Sequence, residues 1–376
     1  MILTAIKSLA GGFVYLTPAS FIMIVVGSFL IYLGIKKRYE PLLLVPIGFG
    51  AILTNVPLAG MMEEGGLLYY FYKAGILTEI FPCLIFIGIG AMTDFGPLLE
   101  RPRVLLLGAA AQFGIFLTLL LALILGFTKL ESCAIGIIGA CDGPTAIYVT
   151  SKYAPHLLGS VSVAAYSYMS MVPLIQPPIM RLLTTKKERM IRMPYVEKPV
   201  SKTAKILFPI VITLFTSLVA PMGTPLMGML MFGNLLKECG VVNRLANASQ
   251  NEIANIVTLL LGISVGATMG GGAFLTLQTM MVFALGLIAI IIDTATGIML
   301  GKVMKILSGG KINPLIGACG ISAFPMSARV VHAVGREADP DNFLLMHAMG
   351  SNTGGQIGSV MAAAIMLSVL KGMGIV

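Results

Sequence analysis

The feature that most constrains this fold is the tetrapeptide Ile-Gly-Ala-Cys, which occurs twice, each time inside a strongly apolar stretch. The first copy is residues 138–141, followed by Asp142, and the second is residues 316–319, followed by Gly320. Helix breakers and polar groups are costly at membrane depth, so they usually line a cavity or an ion path. Two copies at matching places in two halves are typical of a transporter built from repeats.

Composition predicts an all-α polytopic membrane protein. Hydrophobic residues make up 57% of the chain and charged residues 11%, against about 25% charged residues in soluble domains. The Lys and Arg residues lie in short loops between apolar runs, which is the orientation signal of membrane proteins and not a nucleic-acid surface. The first apolar run has no convincing cleavage site, so we expect it to be retained. The five cysteines lack metal-ligand spacing and are expected to be free thiols.

Twelve apolar segments can be drawn along the chain. They are residues 13–35, 41–59, 69–92, 103–127, 131–152, 157–184, 204–221, 223–237, 251–270, 274–301, 312–332 and 341–370. A basic connection separates the two halves, with Arg181, Lys186, Lys187, Arg189, Arg192, Lys198, Lys202 and Lys205. We expect a first repeat over 1–183, a cytoplasmic connection over 184–203 and a second repeat over 204–376.

The repeat extends beyond the tetrapeptide. Gly139 and Gly317 are 178 positions apart, and Pro46 and Pro225 are 179 apart. Asn55 and Asn234 are also 179 apart, and the Gly-Ala pairs at 90–91 and 266–267 are offset by 176. Several anchors near one offset favour duplication over chance.

Loop charge predicts that the repeats are inverted. If every segment crossed the membrane, the basic loops 36–38 and 181–205 would lie on opposite faces, against the bias of Lys and Arg towards one side. A re-entrant hairpin at 131–152 instead places 36–38, 101–103, 181–205 and 302–311 on one face and Glu63 and Glu64 on the other. Each half then has about five transmembrane helices plus one re-entrant hairpin. The second hairpin is expected at 312–332.

Asp142 is the sharpest candidate for chemistry. It stands between Cys141 and the helix breakers Gly143 and Pro144, which free backbone carbonyl oxygens beside a carboxylate. Such a group suits a hard cation such as Na⁺, or a proton. The alternative is that Asp142 only caps the helix that follows.

The second hairpin carries a matching neutral set. Asn313, Ser322 and Ser327 can complete a cation shell without adding charge. Arg329 can pair with an anionic substrate group or anchor the hairpin at the interface.

Three further regions contain polar groups at membrane depth. The glycines and amides over 350–359 predict an unwound helix that could ligate ions, or else close helix packing through small residues. Tyr168 lies inside its segment, close to Tyr166, and can donate to a carboxylate or relay a proton. Asp293 lies in the middle of segment 274–301 and could cap against Thr294 and Thr296 or ligate a cation.

These motifs together resemble a known family. Residues 139–145 (GACDGPT), the segment around Tyr168, residues 313–317 (NPLIG) with 322–329 (SAFPMSAR), and residues 346–350 (MHAMG) leading to Asn352 carry the resemblance. They closely resemble the β subunit of the sodium-pumping, biotin-dependent decarboxylases, which act on oxaloacetate, methylmalonyl-CoA, glutaconyl-CoA or malonate. The resemblance covers nearly the whole chain.

The resemblance implies an activity. The chain would decarboxylate carboxybiotin delivered by a partner subunit, consume a proton and export Na⁺ from the cytoplasm of a bacterial cell. Its partners would be a biotin carrier subunit, a carboxyltransferase α subunit and a small single-span membrane subunit, with lipid around a homo-oligomer in the cytoplasmic membrane. The two hairpins and broken helices would form an elevator-like transport bundle and the remaining spans a scaffold. The short N-terminus favours the acyl-CoA-type enzymes.

The resemblance also implies roles for individual residues. Asp142, Tyr168 and Arg329 would be catalytic, and Arg329, Asn313 and Ser322 would contact carboxybiotin. Na⁺ would be bound by Asp142, Asn352, Ser322, Asn313 and Gly317.

Two other functions share this architecture. One is a secondary carrier, either a Na⁺/carboxylate symporter or a Na⁺/H⁺ antiporter. The other is a non-transporting membrane scaffold, which an Asp at membrane depth disfavours. A P-loop sequence is absent, so ATP is not expected to drive transport.

Overall fold

The described part of the chain is entirely helical. The computed structural model describes residues 11–194 and 200–375, and these residues form helices and turns without a β-strand. The predicted all-α class is therefore confirmed. Residues 1–10, 195–199 and 376 lie outside the described residues, and they include Lys198 of the basic connection and the outer ends of both predicted halves.

The longer helices follow the predicted apolar segments. They are α1 (Pro18–Lys36), α2 (Pro41–Thr54), α3 (Ile80–Met92), α4 (Phe113–Ile124), α5 (Lys129–Gly136), α6 (Gly143–Tyr153), α7 (Leu158–Leu183), α8 (Lys202–Val219), α9 (Thr224–Cys239), α10 (Ala254–Ala267), α11 (Leu277–Leu307), α12 (Met326–Ala338) and α13 (Leu345–Gly372). Shorter α-helices join them at Gly11–Val14, Leu67–Phe71, Gly96–Glu100, Leu105–Ala110, Lys186–Arg189, Asn243–Ala248 and Gly271–Phe274.

Six described helical stretches are long and apolar enough to cross a membrane. They are Pro18–Lys36, Pro102–Ile124, Pro155–Leu183, Lys202–Val219, Leu277–Leu307 and Leu345–Gly372. A seventh span is possible if Leu67–Ile76 and Ile80–Met92, which are bent by 63° at their break, act together. Length and composition thus support a multi-pass membrane protein, while the number of crossings in each half stays a prediction.

The spanning helices differ strongly in burial. In the most apolar window of α8 only 11% of the residues are buried, and in that of α1 22%. The corresponding share is 72% in α13 and 67% in the span containing α7. Apolar side chains of α1 and α8 therefore face outwards, as expected for contact with lipid, while α7 and α13 lie at the centre.

Both copies of the tetrapeptide interrupt helix. In the first hairpin α5 leads into a 3₁₀ turn, Ile137–Ala140, and Cys141 adopts a left-handed conformation (φ 51°) before α6 begins. In the second, the 3₁₀ helix Pro314–Gly320 passes into extended backbone before α12. The arms are held by local signals, since Thr128 and Glu131 form a capping box at α5. In the second predicted hairpin, α12 continues to Ala338, beyond residue 332.

The predicted unwinding over 350–359 is wrong, because α13 is continuous from Leu345 to Gly372. Its glycines serve close packing, the alternative reading. A Cβ atom on Gly355 would meet the carbonyl oxygen of Gly320, and one on Gly108 would meet the backbone of Gly354. Small residues let these backbones approach while the helix stays intact.

The basic connection is tied to the second hairpin. The side-chain amides of Asn313 and Asn342 both donate to the carbonyl oxygens of Arg189 and Ile191, at 2.9–3.2 Å. Arg192 binds both carboxylate oxygens of Asp339, at 2.6 and 2.9 Å. Residues 184–194 are therefore a fixed strap rather than a loose link.

Candidate functional site

The two hairpins contact each other directly. The amide of Ser322 donates to the carbonyl oxygen of Ala140 at 2.9 Å. The two helix breaks at the Ile-Gly-Ala-Cys sequences are therefore adjacent. Both also pack against α11, where Gly139 lies at Asp293 and Gly317 lies against Gly297. The contact brings the polar groups of both breaks into one region.

Asp142 lies at this junction and is buried, with 6% of its surface exposed. It is the N-cap of α6, and its Oδ2 accepts a hydrogen bond from the hydroxyl of Thr145 at 2.7 Å. The capping interpretation is thus confirmed as a geometric fact. Capping uses neutral donors only, and no basic side chain pairs with this carboxylate in the described part of the chain. An unpaired buried carboxylate is costly, so the group is suited to bind a cation or a proton.

A line of hydroxyl groups joins Asp142 to the second hairpin. Ser359 of α13 donates to Asp142 Oδ2 at 3.1 Å, and its oxygen lies 2.6 Å from that of Ser322. Ser322 has one hydroxyl proton, which it can donate either to Ser359 or to the carbonyl oxygen of Gly355, 3.0 Å away, and donation to Ser359 completes the line to Asp142. The three elements that meet here therefore share one hydrogen-bonded chain.

Asn352 fixes the backbone beside this chain. Its amide nitrogen donates to the carbonyl oxygens of Ile321 at 2.7 Å and Cys319 at 3.2 Å. Its Oδ1 is buried without a hydrogen-bond partner in the described structure. A buried amide oxygen without a hydrogen-bond partner is the kind of ligand that hard cations prefer.

A cavity of about 390 Å³ opens at Asp142. Its polar lining includes Glu40, Asp142, Tyr166, Ser322 and Gln356. The two charged groups are both acidic, so the cavity favours a cation over an anion in its present form.

The structure places Tyr166, not Tyr168, at this cavity. The Tyr166 ring lies against Gly143, and its hydroxyl is buried without a hydrogen-bond partner among the described residues. The Tyr168 hydroxyl instead donates to the carbonyl oxygen of Phe283 on α11 at 2.6 Å. Residues two apart on a helix point about 200° apart, so the two tyrosines cannot share one site.

Four other predicted site residues also lie outside the cavity lining, and Asn352, described above, is one of them. Asn313 uses its amide on the strap and its Oδ1 to accept from the amide of Leu315 at 3.0 Å. Gly317 packs backbone to backbone against Gly297. Arg329 is exposed one helical turn beyond Pro325, which forms part of the cavity wall.

Asp293 does not cap against its sequence neighbours Thr294 and Thr296, so that expectation is wrong. Its Oδ1 accepts from the amide of Gly114, in the first turn of α4, at 2.5 Å. Thr296 donates to backbone carbonyl oxygens and not to the carboxylate. Asp293 therefore caps a different helix.

Sequence reasoning did not single out Ser359, Gln356 or Glu40 and did not separate Tyr166 from Tyr168. Ser162, Tyr166 and Ser170 are all buried and spaced four apart, a pattern that indicates one polar face of α7. Thr145, three residues after Asp142, is the position that an N-cap carboxylate reaches. Ser359 had no comparable local signal.

Comparison with known proteins adds a family to this geometry. The model of the Na⁺-transporting oxaloacetate decarboxylase β subunit matches residues 19–370.

Relatives with other printed names match along nearly their whole length. The chain is 55% identical to the glutaconyl-CoA decarboxylase β subunit of Acidaminococcus fermentans, covering 96% of both chains. It is 55% identical to the methylmalonyl-CoA decarboxylase β subunit of Veillonella parvula, covering 96% of this chain and 95% of that one. It is 48% identical to the oxaloacetate decarboxylase β chain of Klebsiella pneumoniae, covering 96% and 98%.

Proposed function

The chain belongs to the family of β subunits of Na⁺-transporting decarboxylases, and from this premise we propose that it is the membrane subunit of a primary Na⁺ pump. It decarboxylates carboxybiotin delivered by a partner subunit and couples this step to Na⁺ export from the cytoplasm. The observation that carries the proposal is Asp142, a buried carboxylate without a basic partner, at the wall of an acidic cavity where the two hairpins meet.

Na⁺ is the transported substrate at this junction. Its ligands are Asp142, Ser322 and Asn352, with Ser359 in the same hydrogen-bonded chain. The unpartnered Oδ1 of Asn352 and the hydroxyl groups around Asp142 support this set. Gly317 and Asn313, which the resemblance implies as ligands, act by holding the second hairpin in shape, since Asn313 binds the strap and Gly317 packs on α11.

Carboxybiotin reacts near the cavity mouth. The bond between the ureido nitrogen and the carboxylate breaks, CO₂ leaves, and the nitrogen keeps the electron pair and takes one proton. Arg329 contacts the carboxylate before it leaves, and Ser322 lies on the cavity wall. Asn313 positions the hairpin that carries both. Tyr166 relays the proton, and Tyr168 positions α7 against α11 through its bond to Phe283.

The chain forms two inverted repeats that work as an elevator. The repeats span 1–183 and 204–376, with the basic connection 184–203 on the cytoplasmic side. The two hairpins with α7, α11 and α13 form the transport bundle, and α1 and α8 belong to the scaffold. The low burial of α1 and α8 and the high burial of α7 and α13 support this division.

The partners are a biotin carrier subunit, a carboxyltransferase α subunit and a small single-span membrane subunit. The assembly is a homo-oligomer of this chain in the cytoplasmic membrane of a bacterium. The substrate that the whole complex decarboxylates is a carboxylated acyl-CoA, and the carboxyltransferase subunit selects it. The 55% identity to two acyl-CoA decarboxylase β subunits, against 48% to the oxaloacetate one, supports this choice.

Free carboxybiotin tests the function directly. The chain in sealed vesicles, alone and in the assembled complex, is expected to decarboxylate carboxybiotin faster when Na⁺ is present and to accumulate Na⁺. Asp142→Asn keeps the size and capping oxygen but loses the charge, and it should abolish both effects. Normal coupled transport by Asp142→Asn would contradict the proposed site. Na⁺ movement without any decarboxylation would instead indicate a secondary carrier.

A further inference from the structure

A second buried carboxylate lies behind the first hairpin, and the proposed Na⁺ site does not use it. Asp293 is in the middle of α11 and has no exposed surface. No basic side chain pairs with it in the residues that the structure describes. An ionised carboxylate without a counter-charge in such a place costs several kcal/mol, so Asp293 needs a specific reason to be there.

One of its oxygens has a partner. Oδ1 accepts from the amide of Gly114 at 2.5 Å, just after the break between Leu105–Ala110 and α4. A helix N-terminus favours negative charge. A Cβ atom on Gly114 would collide with this oxygen, so the glycine permits the contact. The site can therefore hold the charged form for part of a cycle.

The other oxygen has no partner. Oδ2 is buried without a hydrogen bond in the described structure and faces Gly139 of the first hairpin. Even a single Cβ atom on Gly139 would collide with it. Hard cations require about six or more oxygen ligands around them, and this gap is too narrow for such a shell. A hydrogen atom on Oδ2 fits.

We propose that Asp293 is a second proton-binding carboxyl group, which takes up and releases one proton on Oδ2 against the first hairpin. The step is a simple acid–base exchange in which no electrons change hands. Gly139 lies three residues before Asp142, so Asp293 lies against the same hairpin that carries Asp142.

The groups around Asp293 leave few other titrating partners. The hairpin contributes Cys141 and Asp142. Asp293 contacts α4 through the amide of Gly114. On the neighbouring positions of α11, Gln176 of α7 donates to Thr294, and Gly317 of the second hairpin packs against Gly297. The use of this proton in decarboxylation rests on the proposed function. The protonation of Asp293 itself does not depend on that function.

Infrared difference spectroscopy of the full chain in lipid tests the proposal. The C=O stretching band of a protonated carboxylic acid should be present in the wild type, remain in Asp142→Asn and be lost in Asp293→Asn. Asn retains the oxygen that accepts from Gly114, which favours folding. Thr296→Val, on the same helix, is the matched control and should keep the band.

An unchanged band in Asp293→Asn, or no such band in the wild type, would overturn the proposal and leave Asp293 as a helix cap. If Asp293→Asn does not fold, Gly139→Ala serves instead, because its methyl group would press on Oδ2 and shift the band; an unshifted band would overturn the proposal equally. Decarboxylation of carboxybiotin is measured on the same wild-type sample. Its absence would refute the proposed function without affecting the spectroscopic result.

Discussion

At the scale of single residues, hydroxyl groups rather than a basic side chain hold the Asp142 carboxylate. Thr145 and Ser359 donate to it, and both can rotate away when a cation arrives. A salt bridge would have to be broken at a much greater cost. This arrangement suits a carboxylate that must bind and release its partner repeatedly.

Ser359→Ala removes a hydroxyl oxygen that can turn from Asp142 to the cation, so it should weaken Na⁺ binding by roughly the worth of one interaction with a charged group, about 1.5–3 kcal/mol. The half-saturating Na⁺ concentration for decarboxylation is the measurement. Ser351→Ala is the matched control on α13, because the Ser351 hydroxyl is buried without a partner in the described structure. Equal effects of the two variants would count against Ser359 as part of the site.

Substitution of the two tyrosines of α7 should affect different properties, stability for Tyr168 and decarboxylation rate for Tyr166. Tyr168→Phe loses the bond to Phe283 and should lower the free energy of unfolding by about 0.5–1.5 kcal/mol. Tyr166→Phe removes a hydroxyl that has no partner and should leave stability unchanged while slowing decarboxylation at least tenfold, as loss of a proton relay does. Thermal unfolding in detergent and decarboxylation rates distinguish them. The reverse pattern would restore Tyr168 as the relay.

At the scale of elements, helix packing through glycine sets how closely the second hairpin meets α13. Gly355 lies against the carbonyl of Gly320, where backbone atoms face each other. Backbone cannot move aside as a side chain can, so this contact tolerates no additional atom.

Gly355→Ala should destabilise the protein by about 1–3 kcal/mol through overpacking. Gly272→Ala is the control, since a Cβ atom there would have nothing within 4 Å. Unfolding temperatures of the two variants in detergent are compared. A Gly355→Ala protein as stable as Gly272→Ala would mean that the helices are not so tightly packed.

The strap should loosen in acid. Hydrogen bonds from Arg192 hold the pKa of Asp339 below its ordinary value. A lowered pKa means that the pairing stabilises the strap above the unfolded value of about 3.9 and is lost as the pH falls through the lower folded value. The protection factors of residues 186–192, which correct hydrogen exchange for its intrinsic dependence on pH, should therefore fall below about pH 4.

Arg192→Gln should show the same faster exchange already at neutral pH. Arg181→Gln is the control, because Arg181 and Glu337 form a pair that is about half exposed on both sides and such pairs contribute little. Protection factors that do not change with pH in the wild type would show that the Arg192–Asp339 pair does not hold the strap.

At the scale of the whole molecule, the proposed inverted repeats fix which loops share a face. Lys37→Cys and Lys187→Cys should react with a membrane-impermeant thiol reagent from one side, and Glu64→Cys from the other. The background would carry Cys83→Ser and Cys239→Ser, since the other described cysteines are buried. Labelling of positions 37 and 187 from opposite sides would refute the re-entrant hairpin at 131–152.

The all-helical membrane class, the breaks at both tetrapeptides and the family could all be predicted from the amino-acid sequence alone. These depend on apolar run length, helix breakers and a dense motif set, which are local in the chain. Only the tertiary structure decided that Tyr166 lines the cavity, that Ser359 bonds Asp142, that Asp293 caps α4 and that α13 is unbroken. These contacts depend on how each helix is rotated and on which distant backbone segments pack together, and neither can be read from local sequence. A glycine in a sequence can either unwind a helix or allow two helices to pack closely, and only the position of the neighbouring helix shows which of the two it does.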